Sequence, residues 1–126
     1  MSGSPRAPEG AAIEVVVRRW LDAVTRGPVE TLRDLYLGDA TASMARAEAV
    51  RSALEEIDGR IDELVIEAPR AAWRWTVSGR HVRALAGVAP TGRLVELHGV
   101  NFQRFQDGRV AEHWTAVDLA ALSTGT

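Results

Sequence analysis

The dipeptide Asp107-Gly108 constrains the fold of this chain more than any other feature. An Asp-Gly pair between two alternating apolar runs is the strongest short-range signal of a β-hairpin, because both turn residues need a positive φ. The pair lies between the runs 93–106 and 109–118, so the sequence predicts two antiparallel strands joined at this turn. The second strand concentrates ionisable groups beside a large aromatic ring: Glu112, His113, Trp114 and Asp118.

The chain divides into a helical half followed by a strand half. Apolar residues recur at helical spacing in three segments, at about 13–24, 28–36 and 43–57, with Ser43 as the expected N-cap of the third. Asp58-Gly59 is expected to close that helix. The period then changes to two, and the candidate strands cover about 60–67, 71–82, 93–106 and 109–118. Helices followed by a mostly antiparallel sheet predict an α+β fold.

Length and charge narrow the class of protein. A chain of 126 residues suits a single domain, expected over 11–122, and a formal net charge of −2 gives no electrostatic footprint for nucleic acid or an anionic membrane. No apolar run approaches the roughly 20 residues that span a bilayer. The first ten residues are rich in Pro, Gly and Ser without the apolar stretch of a signal peptide, so a disordered tail and a cytoplasmic protein are expected. A frayed terminus is expected over 123–126.

Missing residue types exclude several kinds of chemistry. The chain has no Cys, and all fifteen basic residues are Arg, so thiol nucleophiles, disulfides and a lysine Schiff base are impossible. The three His are dispersed without metal-ligand spacing, and no phosphate-binding glycine loop is present. We therefore predict no metal and no cofactor. Proton transfer and substrate positioning are the chemistry that remains.

Strand parity predicts which side chains face the helices. On the second strand these are Trp73, Trp75, Val77 and His81. On the third they are Val95, Leu97, Asn101 and Phe105. On the fourth they are Val110, Glu112, Trp114 and Asp118. His98 and His113 are then expected on the outer face or at a subunit contact, unless a β-bulge changes the parity.

Four segments of the strand half carry a recognisable pattern: 75–81 (WTVSGRH), 87–93 (GVAPTGR), 99–102 (GVNF) and 107–114 (DGRVAEHW) with Asp118. In this order and with these gaps they resemble the SnoaL-like polyketide cyclases of the nuclear transport factor 2-like superfamily. The resemblance implies a cone, in which a strongly curved antiparallel sheet wraps around three N-terminal helices with a deep pocket at the open end, commonly as a homodimer. It also implies cofactor-free intramolecular aldol closure of a polyketide ring, with an acidic pocket side chain as acid/base.

Two positions depart from the pattern of the family. The family usually has Asp where this chain has Asn101, so one carboxylate is missing. The segment 37–43 is also short where relatives place a longer loop over the pocket mouth, and only Asp39 remains there as a candidate. Both departures bear on whether the chain catalyses the aldol cyclisation of the family more than on whether it adopts the fold of the family.

Four ionisable side chains are the candidate catalytic residues: Asp118, His81, Glu112 and His113. Asp118 suits either a pocket acid or base or the N-cap of a C-terminal turn at 119–122. Glu112 suits either a second pocket carboxylate or the partner of a nearby Arg across the sheet. His81 shares the Trp-rich face and ends its strand near the expected pocket mouth.

Six further residues are predicted to bind substrate: Trp73, Trp75, Trp114, Asn101, His98 and Tyr36. Three tryptophans on one predicted face exceed the needs of a small core, and aromatic walls suit a flat, fused-ring ligand. Asn101 could donate a hydrogen bond to a substrate oxygen or pin a turn. Tyr36 is expected to pack rather than to act as an oxyanion donor.

The resulting hypothesis is a cofactor-independent cyclase or isomerase acting on a polyketide-type intermediate. A limonene-type epoxide hydrolase is disfavoured, since the Arg-x-Asp that it needs on the third strand reads Gly99-Val100-Asn101. The alternatives are a cofactor-free or partner-dependent hydroxylase of a polyketide, and a non-catalytic module for small-molecule binding or dimerisation.

Overall fold

The computed structural model describes residues 6–120 and 122. The helices are α1 (Arg6–Thr25), α2 (Thr31–Leu35) and α3 (Thr41–Ala53). The strands are β1 (Leu54–Glu67), β2 (Arg70–His81), β3 (Leu94–Gln106) and β4 (Arg109–Asp118). Three N-terminal helices packed on a curved antiparallel sheet confirm the predicted α+β class.

The sheet is an antiparallel meander with the strand order β1-β2-β3-β4. The turn between β3 and β4 has a positive φ at both Asp107 (54°) and Gly108 (76°), which confirms the predicted hairpin. We call the side of the sheet that faces the helices the inner face and the opposite side the outer face. Strands β2 and β3 place their predicted residues on the inner face, with Val77, Val95 and Leu97 each at most 5% exposed.

The core lies between α1 and the inner face. The apolar stripe of α1 packs against the sheet, and Val17 in the middle of the helix is fully buried, as is Leu32 of α2. Burial of each such side chain stabilises the fold by roughly 1.5–3 kcal/mol. Near the end of α1, Gly59 of β1 allows a close approach, because a Cβ there would lie 2.6 Å from Cγ2 of Thr25.

The predicted helix boundaries were wrong at several points. Helix α3 ends at Ala53, and β1 begins at the next residue, so Asp58-Gly59 lies within a strand and pairs with β2 rather than closing a helix. The register shift between Glu55 and Asp58 lets the chain turn directly from helix to sheet, and Glu56 has a φ of 55° there. Ser43 is not an N-cap, since α3 begins two residues earlier.

The N-terminal end of the chain differs from expectation where it is described. Helix α1 begins at Arg6, so residues 6–10 of the predicted tail belong to a helix. Residues 1–5 and the predicted frayed segment 123–126 lie outside the described residues. Over 6–120 and 122, no helix combines the length and apolarity needed to cross a membrane.

A register shift in β4 reverses the predicted faces of that strand. Phe105 pairs with Val110, whereas the preceding Arg104 pairs with Glu112, so β4 carries one extra residue, Ala111, at this point. Val110 faces inward as predicted and is 1% exposed. Beyond the shift, Glu112, Trp114 and Asp118 lie on the outer face, and the prediction that they face the helices was wrong. The inward residues are instead His113, Thr115 and Val117.

Candidate functional site

A cavity of about 260 Å³ lies between α1, α3 and the inner faces of β2, β3 and β4. Most of its wall is apolar and includes Val24, Val50, Trp75, Val77, Leu85, Leu97 and Val117. Its polar wall consists of Ser43, Arg46, His113 and Thr115. We call this space the inner cavity. A larger and more open depression beside Gly27 and Gly59 lies outside the core, so the enclosed cavity is the better candidate for a ligand site.

His113 is the ionisable side chain of β4 that borders the inner cavity. Its ring lies 5.5 Å from the ring of Trp20 and 6.0 Å from that of Tyr36, measured between centroids. Burial lowers the pKa of His113 from 6.5 to about 4, and the positive charge of Arg46 acts in the same direction. The imidazole is therefore neutral near pH 7.

The two ring nitrogens of His113 have different surroundings. Nδ1 lies 3.0 Å from Nε2 of Gln103, directly across the strand pair. Nε2 is buried and has no hydrogen-bond partner among the residues that the structure describes. One nitrogen is thus anchored to the sheet, and the other is buried without a partner among the described residues.

The helical side of the cavity is organised by hydrogen bonds around Tyr36. Its hydroxyl accepts a hydrogen bond from Nε1 of Trp20 at 3.1 Å and lies 2.5 Å from Oγ of Ser43. Arg46 donates to the same Ser43 oxygen at 3.3 Å. Tyr36 itself does not border the cavity but holds Ser43, which does.

Asn101 lies fully buried behind the cavity wall. Its Oδ1 accepts hydrogen bonds from Nε1 of Trp75 at 3.1 Å and from Oγ1 of Thr115 at 2.7 Å, and both donors border the cavity. Its Nδ2 has no partner among the described residues. Trp73, 1% exposed, does not border the cavity and packs edge-on against Trp20 at 5.5 Å.

Three predicted site residues lie on the outer face because of the shift in β4. Glu112 forms an ion pair with Arg104 at 2.9 Å, as expected from the alternative in which it pairs with an Arg across the sheet. Asp118 accepts a hydrogen bond from the backbone N–H of Ala120 at 2.9 Å, which matches the capping alternative. Trp114 is 54% exposed and does not line the inner cavity.

The other two histidines also lie away from the cavity. His81 is fully buried at the end of β2, where its Nδ1 accepts a hydrogen bond from the backbone N–H of Thr91 at 3.3 Å. His98 lies exposed on the outer face, where its Nδ1 is 3.0 Å from Oγ1 of Thr76. In its turn, Thr76 donates to Asp62 at 2.6 Å.

Sequence reasoning missed Gln103, Arg46, Ser43 and Thr115. Parity could have identified Gln103, which lies two residues after Asn101 on the same face, whereas Arg46 depends on where α3 begins. Among the described residues that border the inner cavity, none is Asp or Glu. Across the described part of the chain, no three His, Asp or Glu side chains converge as metal ligands.

Comparison with known proteins identifies the family. The model of the SnoaL-like polyketide cyclase family matches residues 14–124. The chain belongs to this family. This membership confirms the predicted resemblance and the prediction of a cyclase enzyme.

Individual relatives agree with this assignment. The aklanonic acid methyl ester cyclase AcmA of Streptomyces galilaeus is 29% identical over an alignment that covers 77% of this chain and 78% of the relative. Two solved structures share the fold. AclR from Streptomyces galilaeus has a TM-score of 0.80 at 23% identity, covering 91% of this chain and 95% of its own. TsrD from Streptomyces laurentii has a TM-score of 0.79 at 25% identity, covering 91% and 94%.

Proposed function

We propose that the chain is a cofactor-independent cyclase that closes a ring within a polyketide-type intermediate, with His113 as the polar group at the reacting centre. One observation carries the proposal. Of the four predicted catalytic residues, only His113 borders the inner cavity, and its Nε2 is without a partner among the described residues. A buried polar atom without a partner costs about 1–3 kcal/mol, so a ligand that satisfies it gains affinity.

The walls of the cavity suit a reaction that depends on positioning. Aldol closure joins the carbon of an enol to a carbonyl carbon of the same molecule. As the C–C bond forms, the enol becomes a ketone and releases its O–H proton, while the attacked carbonyl oxygen gains negative charge and then takes up that proton as a hydroxyl. Holding the two ends in reactive geometry can supply about 7–11 kcal/mol of the barrier. A hydrogen-bond donor directed at the developing oxyanion adds roughly 10²–10³-fold in rate.

The size of the cavity limits what it encloses. At about 260 Å³ it is just below the usual range of roughly 300–1,000 Å³ for small-molecule sites. We therefore propose that it encloses the reacting segment of the substrate, while the remainder of a fused-ring intermediate lies at the mouth near Ala86 and Leu119.

The test compares two neighbouring positions of β4. The substrate of the relative AcmA, aklanonic acid methyl ester, serves as the probe, and cyclisation is followed by chromatography. His113→Phe keeps a buried ring but has no hydrogen-bond donor, so kcat should fall by about 10²-fold or more. Glu112→Gln is the matched control on the outer face, and its kcat should stay within about twofold. Full turnover by His113→Phe would contradict the proposal, and loss in both variants would point to a defect in β4 itself.

We also propose that the chain forms a homodimer through the outer face. Three apolar side chains support this, being 41–54% exposed on neighbouring outward positions of β3 and β4: Val100, Phe102 and Trp114. The rings of Phe102 and Trp114 pack edge-on at 5.7 Å and form the centre of this patch. Sedimentation velocity should give a dimer for the wild type and a monomer for Trp114→Glu. A wild-type monomer, or a variant that still dimerises, would refute this interface.

A further inference from the structure

We infer that Gln103 is a positioning residue that holds neutral His113 with its proton on Nε2, so that the inner cavity presents a hydrogen-bond donor to its ligand. The inference rests on the proposed function of the cavity and specifies the chemistry that the cavity recognises. It follows from a chain of three side chains on the inner face: Trp73, Gln103 and His113.

The first link fixes the amide of Gln103. The indole N–H of Trp73 lies 3.0 Å from Oε1 of Gln103, and the two side chains are at most 1% exposed. An indole nitrogen can donate but cannot accept a hydrogen bond. The oxygen of the amide must therefore face Trp73, and its NH₂ group must face His113.

The second link fixes the tautomer of His113. The NH₂ group of Gln103 lies 3.0 Å from Nδ1, and an amide NH₂ can only donate. Nδ1 must therefore accept, which in a neutral imidazole places the proton on Nε2. Nε2 is buried without a partner among the described residues, and the side chain of His113 borders the inner cavity, so a ligand in the cavity is the partner that we infer for this N–H.

The amide of Asn101, the inward residue of β3 that precedes Gln103, is also oriented by an indole N–H. The indole N–H of Trp75 and the hydroxyl of Thr115 both donate to Oδ1, which occupies both lone pairs of that oxygen. The NH₂ group is left without a partner among the described residues. Asn101 pairs with Thr115 and Gln103 pairs with His113, so the two unpartnered nitrogens belong to adjacent inward positions of the sheet. That of Asn101 lies behind the cavity wall, and that of His113 is in a side chain that borders the cavity.

The Nε2–H of His113 selects a ligand group that accepts a hydrogen bond. A carbonyl or enolate oxygen meets this requirement, and its affinity for this donor rises as it gains negative charge. Nε2 carries a proton in this form and cannot take one from carbon. The role of His113 is therefore to stabilise the oxygen of the reacting carbonyl through a hydrogen bond while keeping its own proton.

The test measures the tautomer directly by ¹⁵N NMR of histidine-labelled protein near pH 7. The wild type should show a protonated Nε2 and an unprotonated Nδ1 for His113, assigned from the spectrum of His113→Phe. In Gln103→Glu, the carboxylate accepts from Trp73 and also from Nδ1 of His113. Nδ1 should then become protonated, and the pKa of His113 should rise.

The matched control is Gln106→Glu, which adds the same charge to the exposed end of β3. It should leave the tautomer unchanged. A wild-type His113 protonated on Nδ1, or a tautomer that Gln103→Glu does not alter, would overturn the inference. The wild-type spectrum decides the question alone if Gln103→Glu does not fold.

Failure of this inference is distinguishable from failure of the proposed function. The tautomer is measured without substrate, whereas the cyclase proposal depends on the turnover of His113→Phe. If the tautomer is as inferred, Gln103→Glu should also lose at least about tenfold in kcat, because its Nε2 no longer offers a donor in the neutral form. The same kcat in Gln103→Glu and the wild type would contradict the role assigned to the donor.

Discussion

Replacing His113 with asparagine should change how the stability of the protein depends on pH. Burial in the wall of the inner cavity lowers the pKa of His113 from 6.5 to about 4, and Arg46 acts in the same direction. In the unfolded chain the same imidazole takes up a proton near its ordinary pKa. The amide that replaces the imidazole does not titrate, so the variant should lack the part of the pH dependence that His113 causes.

The sign and size follow from proton linkage. Between about pH 6.5 and pH 4 the unfolded state binds a proton that the folded state excludes, so the free energy of unfolding falls as the pH falls. The contribution of His113 is present above pH 6.5 and is lost on acidification toward pH 4. The fall in the pKa of His113 from 6.5 to about 4 corresponds to roughly 3–3.5 kcal/mol at 1.36 kcal/mol per pKa unit. Because the ring is partly exposed, solvent screening reduces the expected contribution to about 2 kcal/mol.

Urea unfolding followed by tryptophan fluorescence measures the contribution of His113 to the free energy of unfolding. Wild type and His113→Asn are compared at about pH 7 and about pH 4.5. Every other ionisable group is common to both proteins, so its contribution cancels in the difference between the two free energies. On going to the lower pH, the wild type should lose about 2 kcal/mol more free energy of unfolding than His113→Asn loses. This corresponds to a difference of about 1 M in the change of the urea midpoint. A difference that stays constant within about 0.5 kcal/mol would show that burial does not hold His113 neutral.

Three further changes test neighbouring parts of the structure. Gly99→Ala should destabilise the fold by about 1–3 kcal/mol in urea, because a Cβ at this position would overlap the indole of Trp75; an unchanged midpoint would contradict this packing. Arg46→Gln should raise the pKa of His113 in an NMR titration but leave it below 6.5, since burial is the larger cause. Asp118→Asn should leave stability and turnover unchanged, because an amide oxygen can still accept the hydrogen bond near the end of β4; a large loss of turnover would restore Asp118 as a catalytic candidate.

Local signals in the sequence were sufficient for the strands and for two of their faces. Between two alternating runs, an Asp-Gly pair strongly favours a two-residue hairpin turn. Asp107 and Gly108 both adopt the positive φ that this turn requires. The inner face of β2 and β3 followed from parity, because no register shift separates these two strands. Trp75 and Asn101 were therefore assigned to the correct side.

The extra residue in β4 has no local signature, since Ala111 is compatible with either register. Its position depends on how β4 pairs with β3 at Arg104 and Phe105, which is a long-range property. An energetic argument could have anticipated it. Strict alternation would direct the carboxylates of Glu112 and Asp118 into an apolar core, and burial of a charge costs far more than a bulge in a strand.

The tryptophans of the inner face orient polar groups as well as filling space. Trp20, Trp73 and Trp75 direct their indole N–H groups at Tyr36, Gln103 and Asn101, respectively. An indole N–H can donate a hydrogen bond but cannot accept one. Each indole therefore engages an acceptor oxygen and fixes the orientation of the side chain that carries this oxygen. Since the amide oxygens of Gln103 and Asn101 accept from indoles in this way, the amide of Gln103 donates to Nδ1 of His113 and leaves the Nε2 of that imidazole as a donor. A site made for general-base catalysis would instead need an unoccupied carboxylate or imidazole nitrogen at the cavity, and among the described residues that border the cavity none is Asp or Glu.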